Sequence, residues 1–284
     1  MMNTTNLLIT NAQLRLLIEK KDPILIFDCR FDLSKSHIGK EHYLEGHIPS
    51  AVYIDLEKDL SGTKNPLLGR HPLPSPSDWA ITRSRLGITK NSHIVLYDHQ
   101  ENTYSARMWW MLMSTGHTNI QILDGGYHSW LDSQGAIEVG ETKHTSPLSD
   151  ALPIAYEHLF TMKDVQENLS SKAFQIIDAR TAERFRGDVE PLDPVAGHIP
   201  GAINRLYKKN LKEGSSFKTP EVLRQEWSSV NLPPSSIVHQ CGSGVTACHN
   251  LFAMELAGLK GSKLYAGSWS EWCNHPTNLM AKGD

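Results

Sequence analysis

Cysteine is scarce in this chain. Cys29, Cys241, Cys248 and Cys273 are the only four in 284 residues, and no two of them form a CxxC pair. That spacing excludes a disulfide framework and a thiolate zinc site, and reduced thiols fit a cytoplasmic address. Nor do the 14 histidines show HExxH or another ligand spacing, so neither a metal nor another cofactor is expected. Charge of one sign is lacking too: 28 Lys and Arg stand against 31 Asp and Glu, a net −3 with both signs interspersed. Such a balance gives no basic field for nucleic acid and no polybasic surface for a membrane, and neither is an expected partner. The start, MMNTTNLLITNAQLRLL, has no basic region ahead of a long apolar stretch and does not read as a leader. Thr10 to Gln13 reads instead as a helix capping box. What remains is the composition of a globular protein, 39% hydrophobic and 21% charged, with length enough for two domains.

The chain repeats itself. ILIFDCR, ending at Arg30, recurs as FQIIDAR, ending at Arg180, and EGHIPSAVYID from Glu45 recurs as AGHIPGAINRL from Ala196, at offsets of 150 and 151. HIVLYD ending at Asp98 pairs with SIVHQC ending at Cys241, and ILDGGYHSW ending at Trp130 pairs with LYAGSWSEW ending at Trp272, in the same order. Two copies of one unit are therefore expected. Their apolar runs are short, rich in β-formers and separated by helix-like stretches, which predicts an α/β fold with a parallel sheet flanked by helices in each copy. SPSDW from Ser75 and TPEVL from Thr219 both place a capping hydroxyl before a proline, as at a helix start. Residues 137–157 read as a linker, which gives domains at 1–148 and 149–284.

The chemistry concentrates at Cys241. A strand-like run, SIVHQ, leads into it, and GSGVT follows before a helix expected near Thr246. Gly242 and Gly244 permit a tight turn with amides facing inward, and the helix start adds its positive end. A thiol so placed ionises more readily than a free one. The alternative reading of the same residues is a buried structural cysteine.

The loop CGSGVTA resembles the active-site loop of the rhodanese family, in its 3-mercaptopyruvate sulfurtransferase branch, whose cysteine carries sulfur as a persulfide. The resemblance extends over nearly the whole chain and implies two tandem rhodanese-like domains, an N-terminal one without the cysteine and a catalytic C-terminal one. Asp98 stands where the second copy has Cys241, and an aspartate cannot carry a persulfide. The resemblance further implies Cys241 as nucleophile, the loop Gly242, Gly244, Val245 and Thr246 as substrate-binding, and Arg184, in AERFRG, as the arginine that meets the donor anion. Ser243 with a histidine and an acid would form a proton relay. GRHPLP supplies His71, and the acid falls on Glu57, one methylene longer than the family's aspartate, with Asp55 beside it. The animal branch carries a second arginine in EPEPR; here the stretch is VEPLDP, with Leu192 or Asp193 at that place. Arg205 or Arg70 is the basic residue open to replace it.

The expected function is transfer of sulfur from a small-molecule donor, 3-mercaptopyruvate, through a Cys241 persulfide to a thiol such as thioredoxin or glutathione, or to cyanide. Thiosulfate is the alternative donor, although family members specialised for it carry charged loops such as CRKGVT. A second alternative is a persulfide carrier or sensor without a donor pocket. A phosphatase of related loop type needs an arginine where this chain has Ala247, which excludes it. His47 and His198, at equal places in the two GHIP segments, are expected to be structural, as is Cys248. Arg186 is expected on the surface, and Trp269 and Trp272 are expected to pack beside the loop.

Overall fold

The computed structural model describes residues 7–99, 101–142, 152–213 and 215–284. Among them are ten short strands in two sheets. The first sheet holds β1 (Leu8–Ile9), β2 (Ile24–Asp28), β3 (Val52–Tyr53), β4 (His93–Tyr97) and β5 (Ile120–Leu123). The second holds β6 (Leu159–Phe160), β7 (Gln175–Asp178), β8 (Ile203–Asn204), β9 (Ile237–Gln240) and β10 (Lys263–Tyr265). Their orders are β1-β5-β4-β2-β3 and β6-β10-β9-β7-β8, so the two copies share one topology. Every pairing is parallel. The inner strands are buried on both faces: four of the five residues of β4 and all four of β9, where His239 and Gln240 stand among the apolar residues.

The chain divides into two compact units. One comprises the described residues of Met1–Gly62, Pro74–Tyr156 and Leu211–Phe217; the other comprises Thr63–Leu73, Glu157–Asn210 and Lys218–Asp284. A short stretch of each half thus folds with the other half's sheet. The expected boundary at 148/149 lies outside the described residues.

Helices begin where the sequence places caps. Thr10 and Gln13 form a reciprocal capping box, and Ser75 and Thr219 each accept an amide N–H ahead of a proline in the first turn. The cores repeat as well. Ile26, Ile48, Ala51, Val95, Tyr127 and Trp130 pack together in the first unit; Ile176, Ile199, Ala202, Val238, Trp269 and Trp272 pack together in the second. These are the same places in the two copies.

Two polar devices recur beside these cores. Arg30 is clamped on Asp28 at 2.6 Å and donates to the Gly46 carbonyl at 2.7 Å, while its guanidinium carbon lies 4.0 Å from the Tyr127 ring centroid. Arg180 does the same with Asp178 at 2.7 Å, the Gly197 carbonyl at 2.7 Å and the Trp269 ring at 4.9 Å. The GHIP histidines are structural: His47 Nδ1 donates to the Tyr43 carbonyl and its ring stacks on Tyr43, and His198 Nδ1 donates to the Phe185 carbonyl and stacks on Phe185. Buried imidazoles with a carbonyl partner and an aromatic neighbour hold the chain rather than a ligand.

Candidate active site

β9 ends at Gln240, and Cys241 is the next residue, 2% exposed. The loop behind it is fixed from below by the short helix Ser268–Trp272. The Cys241 N–H donates to Ser268 Oγ at 3.1 Å, and the Cys241 and Gly242 carbonyls accept from the Trp269 and Ser270 amides at 3.0 and 2.9 Å. Gly244 takes φ +74°, and a Cβ there would stand 2.3 Å from the Ala266 carbonyl oxygen. Only glycine turns the chain so closely against that backbone. The helix Thr246–Leu256 then begins, with Val245 as its N-cap and no side-chain cap of its own.

The first unit shows what this loop does with a negative charge. Asp98, at the place of Cys241, is 2% exposed. Its carboxylate accepts the amides of Asn102 at 2.9 Å, Tyr104 at 2.8 Å and Ser105 at 3.2 Å, and the Ser105 hydroxyl at 3.3 Å. Burial pushes this carboxyl up to about 6, and those backbone donors pull it the other way. The turn and the helix start that follow the strand are thus a cradle for an anion, filled in one copy by a side chain of the protein. Counting the same distances from Cys241 leads to the amides of Val245, Ala247 and Cys248, of which that of Cys248 donates to the Val245 carbonyl at 3.0 Å.

Cations gather at Gly242, the residue after the cysteine. A Cβ on Gly242 would meet Arg70 Nη2 at 2.8 Å and both terminal nitrogens of Arg184 at 3.5 Å. Arg184 is paired with Glu190 at 2.7 Å and with Asp193 at 3.3 Å, and Arg70 is paired with the same Asp193. Burial works to raise the Glu190 carboxyl, but Arg184 and the amides of Leu192 and Asp193 more than offset it and leave it below its ordinary value. Asp193 is raised by burial against the pull of Arg70. Arg180 reaches Glu190 at 3.3 Å and lies within the field of Cys241.

Ser243 Oγ lies 2.8 Å from His71 Nδ1, both side chains buried. The pair is 172 residues apart in sequence, and the structure brings them together because Thr63–Leu73 folds with the second unit. Glu57 belongs to the first unit, where the Asp55 carboxylate caps its amide at 2.9 Å. Cys248 is fully buried, with its sulfur 3.3 Å from the Gly244 carbonyl. Arg186 is half-exposed and bound to Asp188. Trp269 is fully buried and donates to the Val195 carbonyl at 2.9 Å. Arg205 lies 3.8 Å from the Trp227 ring centroid and bonds Asn210 and Glu226, where burial lowers it to about 10. Of the two cations open to stand in for the missing arginine, Arg70 is the one at Gly242.

Arg180, Glu190 and Asp193 form part of this site, and reading the sequence did not single them out for it. Arg180 carried a signal, since the Asp-x-Arg of FQIIDAR repeats that of ILIFDCR; Glu190 and Asp193 lie in VEPLDP without periodicity or repeat to mark them. All four cysteines are buried, and none is in a disulfide among the described residues. Burial first, then Asp193, pushes the Cys273 thiol up to about 11, so it stays protonated at neutral pH. Among the described residues no helix is long and apolar enough to cross a membrane, and no group of three or more His, Cys, Asp and Glu side chains is disposed to hold a metal ion.

Comparison with known proteins agrees with this geometry. The model of the rhodanese-like domain matches twice, over residues 10–133 and 161–275. A protein of Pseudomonas aeruginosa named "Probable 3-mercaptopyruvate sulfurtransferase" is 41% identical over 281 residues, 98% of each chain. The thiosulfate sulfurtransferase of Bos taurus is 33% identical over 255 residues, 86% of this chain and 84% of that one. Among solved structures, the 3-mercaptopyruvate sulfurtransferase from Leishmania major superposes with a TM-score of 0.83 at 28% identity, covering 95% of this chain and 75% of that one. Two sheets of one topology, a cysteine at the end of β9 and two matches to a single domain model together place this chain in the rhodanese family, as a tandem of two rhodanese-like domains.

Proposed function

We propose that the chain is a sulfurtransferase that takes sulfur from 3-mercaptopyruvate, carries it as a Cys241 persulfide and passes it to a thiol. The observation that carries this reading is one buried cysteine followed at once by a glycine with two guanidinium groups beside it and a serine whose hydroxyl meets His71, within a family whose relatives carry sulfurtransferase names.

The Cys241 thiolate attacks the donor sulfur, and the bond between that sulfur and C3 breaks. Its electron pair stays on carbon, which leaves pyruvate as an enolate. Amides of the loop Gly242–Thr246 and the helix start stabilise the anionic sulfurs, as the equivalent cradle stabilises the Asp98 carboxylate. Arg184 holds the donor carboxylate. The enolate takes a proton at C3 from the Ser243 hydroxyl, and His71, acting as general acid, re-protonates Ser243, with Glu57 as the acidic residue of that relay. Thioredoxin, glutathione or cyanide then attacks the outer sulfur and returns Cys241 as the thiolate. The proposed compartment is the cytoplasm, where four free thiols persist. Thiosulfate is a second, slower donor: a loop of Gly242 and Ser243 offers a dianion no charge of its own.

Sulfur transfer to cyanide, measured with each donor on wild type, Cys241→Ser and Ser243→Ala, tests this reading. Wild type is expected to prefer 3-mercaptopyruvate with ping-pong kinetics, and Cys241→Ser to lose all transfer while keeping its melting temperature. Ser243→Ala should lower kcat with 3-mercaptopyruvate about 10²-fold and leave discharge of a preformed persulfide unchanged. Transfer surviving in Cys241→Ser sinks the assignment; a preference for thiosulfate replaces the donor; acceptance of sulfur only from a protein persulfide makes the chain a carrier.

A further inference from the structure

We infer that the second unit carries an anion site of its own beside the edge strand β8, apart from the cysteine loop, and that this site takes a phosphate group. A cavity of about 320 Å³ opens there, at the low end of the range of small-molecule sites. Arg205, Lys209 and Lys218 line it together with a single carboxylate, Glu226, while Ile203 and Val230 give it an apolar wall. All six belong to the second unit. Three cations against one anion leave two positive charges facing one small volume.

The duplication shows that these charges are not part of the shared frame. In the register of the GHIP repeat, Arg205 stands where the first unit has Ile54, Lys208 where it has Glu57 and Asn210 where it has Asp59. The acidic stretch IDLEKD of one copy is the basic stretch RLYKKN of the other. Ile54 is fully buried and Arg205 is 8% exposed. An apolar side chain thus serves the fold at this place, and a buried guanidinium there costs desolvation unless an anion meets it.

The surroundings of Arg205 fix its position without matching its charge. Its guanidinium lies on the Trp227 ring, donates to Asn210 Oδ1 at 2.5 Å and reaches Glu226 at 3.3 Å. Asn210 in turn donates to Asn250 Oδ1 at 2.7 Å, and Asn250 donates to the Arg205 carbonyl at 3.1 Å, so side chain and backbone are tied to the helix Thr246–Leu256. Glu226 is shared, since Lys218 takes its other oxygen at 2.6 Å. Burial therefore lowers Arg205 further than Glu226 raises it. Lys209 is exposed and forms no ion pair among the described residues. A phosphate monoester carries about −1.5 to −2 charge near neutral pH, which answers the two unmatched cations, and its oxygens suit a guanidinium fork flanked by ammonium groups. A carboxylate supplies half that charge. The Ile203 and Val230 wall suits an organic body on the ester, whereas free phosphate would use the cations alone.

The test follows the melting temperature of the full chain against inorganic phosphate and against phenyl phosphate, at constant ionic strength near neutral pH, in wild type, Lys209→Gln, Lys209→Glu and Glu226→Gln. Both probes should stabilise wild type saturably. Lys209→Gln should raise the half-saturating concentration about five-fold, and Lys209→Glu should raise it further. Glu226→Gln should lower it about three-fold, because the carboxylate that competes with the ligand is gone; an Arg205–Glu226 pair that serves only the fold would not give this. These side chains reach the surface, so the variants are expected to fold, and Arg205 itself is left in place. No saturable shift in wild type overturns the inference. So does a midpoint in Lys209→Glu within about two-fold of wild type, which would put the phosphate elsewhere, or a weaker midpoint in Glu226→Gln. With the inference standing, phenyl phosphate bound about ten-fold tighter than inorganic phosphate assigns the site to an organic ester, and equal binding assigns it to free phosphate.

Discussion

His239, in β9 two residues ahead of Cys241, shows how much one buried side chain decides. It is fully buried, its Nε2 lies 3.2 Å from the Met254 sulfur, and its Nδ1 has no hydrogen-bond partner among the described residues. Burial, with Arg205 nearby, lowers it to about 3, so the folded protein keeps it neutral. The unfolded chain binds its proton near pH 6.5, hence the unfolded state takes up more protons below that pH and stability falls as pH drops from about 6.5 toward 3. Between pH 7 and pH 5 this one group should cost about 2 kcal/mol. Replacing it with leucine removes a polar atom that lacks a partner, so His239→Leu should be near-neutral at pH 7 and lose less stability on acidification. Urea unfolding of both proteins at the two pH values measures the difference; equal slopes would mean that His239 is solvated or paired.

The turn between β9 and the helix Thr246–Leu256 is the element on which the site depends. Gly244→Ala must leave the left-handed region or push against the Ala266 carbonyl, which is backbone and does not yield. The expected cost is about 2 kcal/mol or more, with persulfide formation lost alongside, as read by thermal melting and by alkylation of Cys241. Elements of this kind were legible in the sequence because they obey local rules. The capping residues at Thr10, Ser75 and Thr219, the strand before Cys241 and the Gly-rich turn after it each follow from neighbours a few residues away. Arg184 and the Ser243–His71 pair came from resemblance to a family, since no local rule links residues 172 apart. The resemblance named Asp193 and Arg70 separately, as the place of a missing arginine and as a basic residue open to replace it, but nothing in the sequence joins them: the contact spans 123 residues, and the two carry no shared pattern. Glu190 stayed hidden for the same reason, being one carboxylate in an irregular stretch until folding sets it against Arg180 and Arg184.

At the scale of the molecule, a duplicated α/β unit has kept its frame and changed its contents. Asp28–Arg30 and Asp178–Arg180, His47 and His198, and the aromatic pairs at the end of each copy remain, while the anion cradle holds a fixed carboxylate in one copy and a cysteine in the other. The frame was readable because the matching segments recur in the same order, at offsets between 142 and 151. The grouping of Thr63–Leu73 with the second unit and Leu211–Phe217 with the first was not, because neither stretch has a repeat partner to follow. A chain divided between Tyr156 and Glu157 should therefore give a second half without cysteine-dependent transfer, since Arg70 and His71 lie on the first half, and adding that half should restore it. Full activity of the second half alone would contradict the placement. Duplication ordinarily begins with two redundant copies, either of which can be deleted at no loss to the cell. Once each has lent a stretch of chain to the other's fold, that freedom is gone, and selection acts on the two as a single gene that no longer shortens to its ancestor.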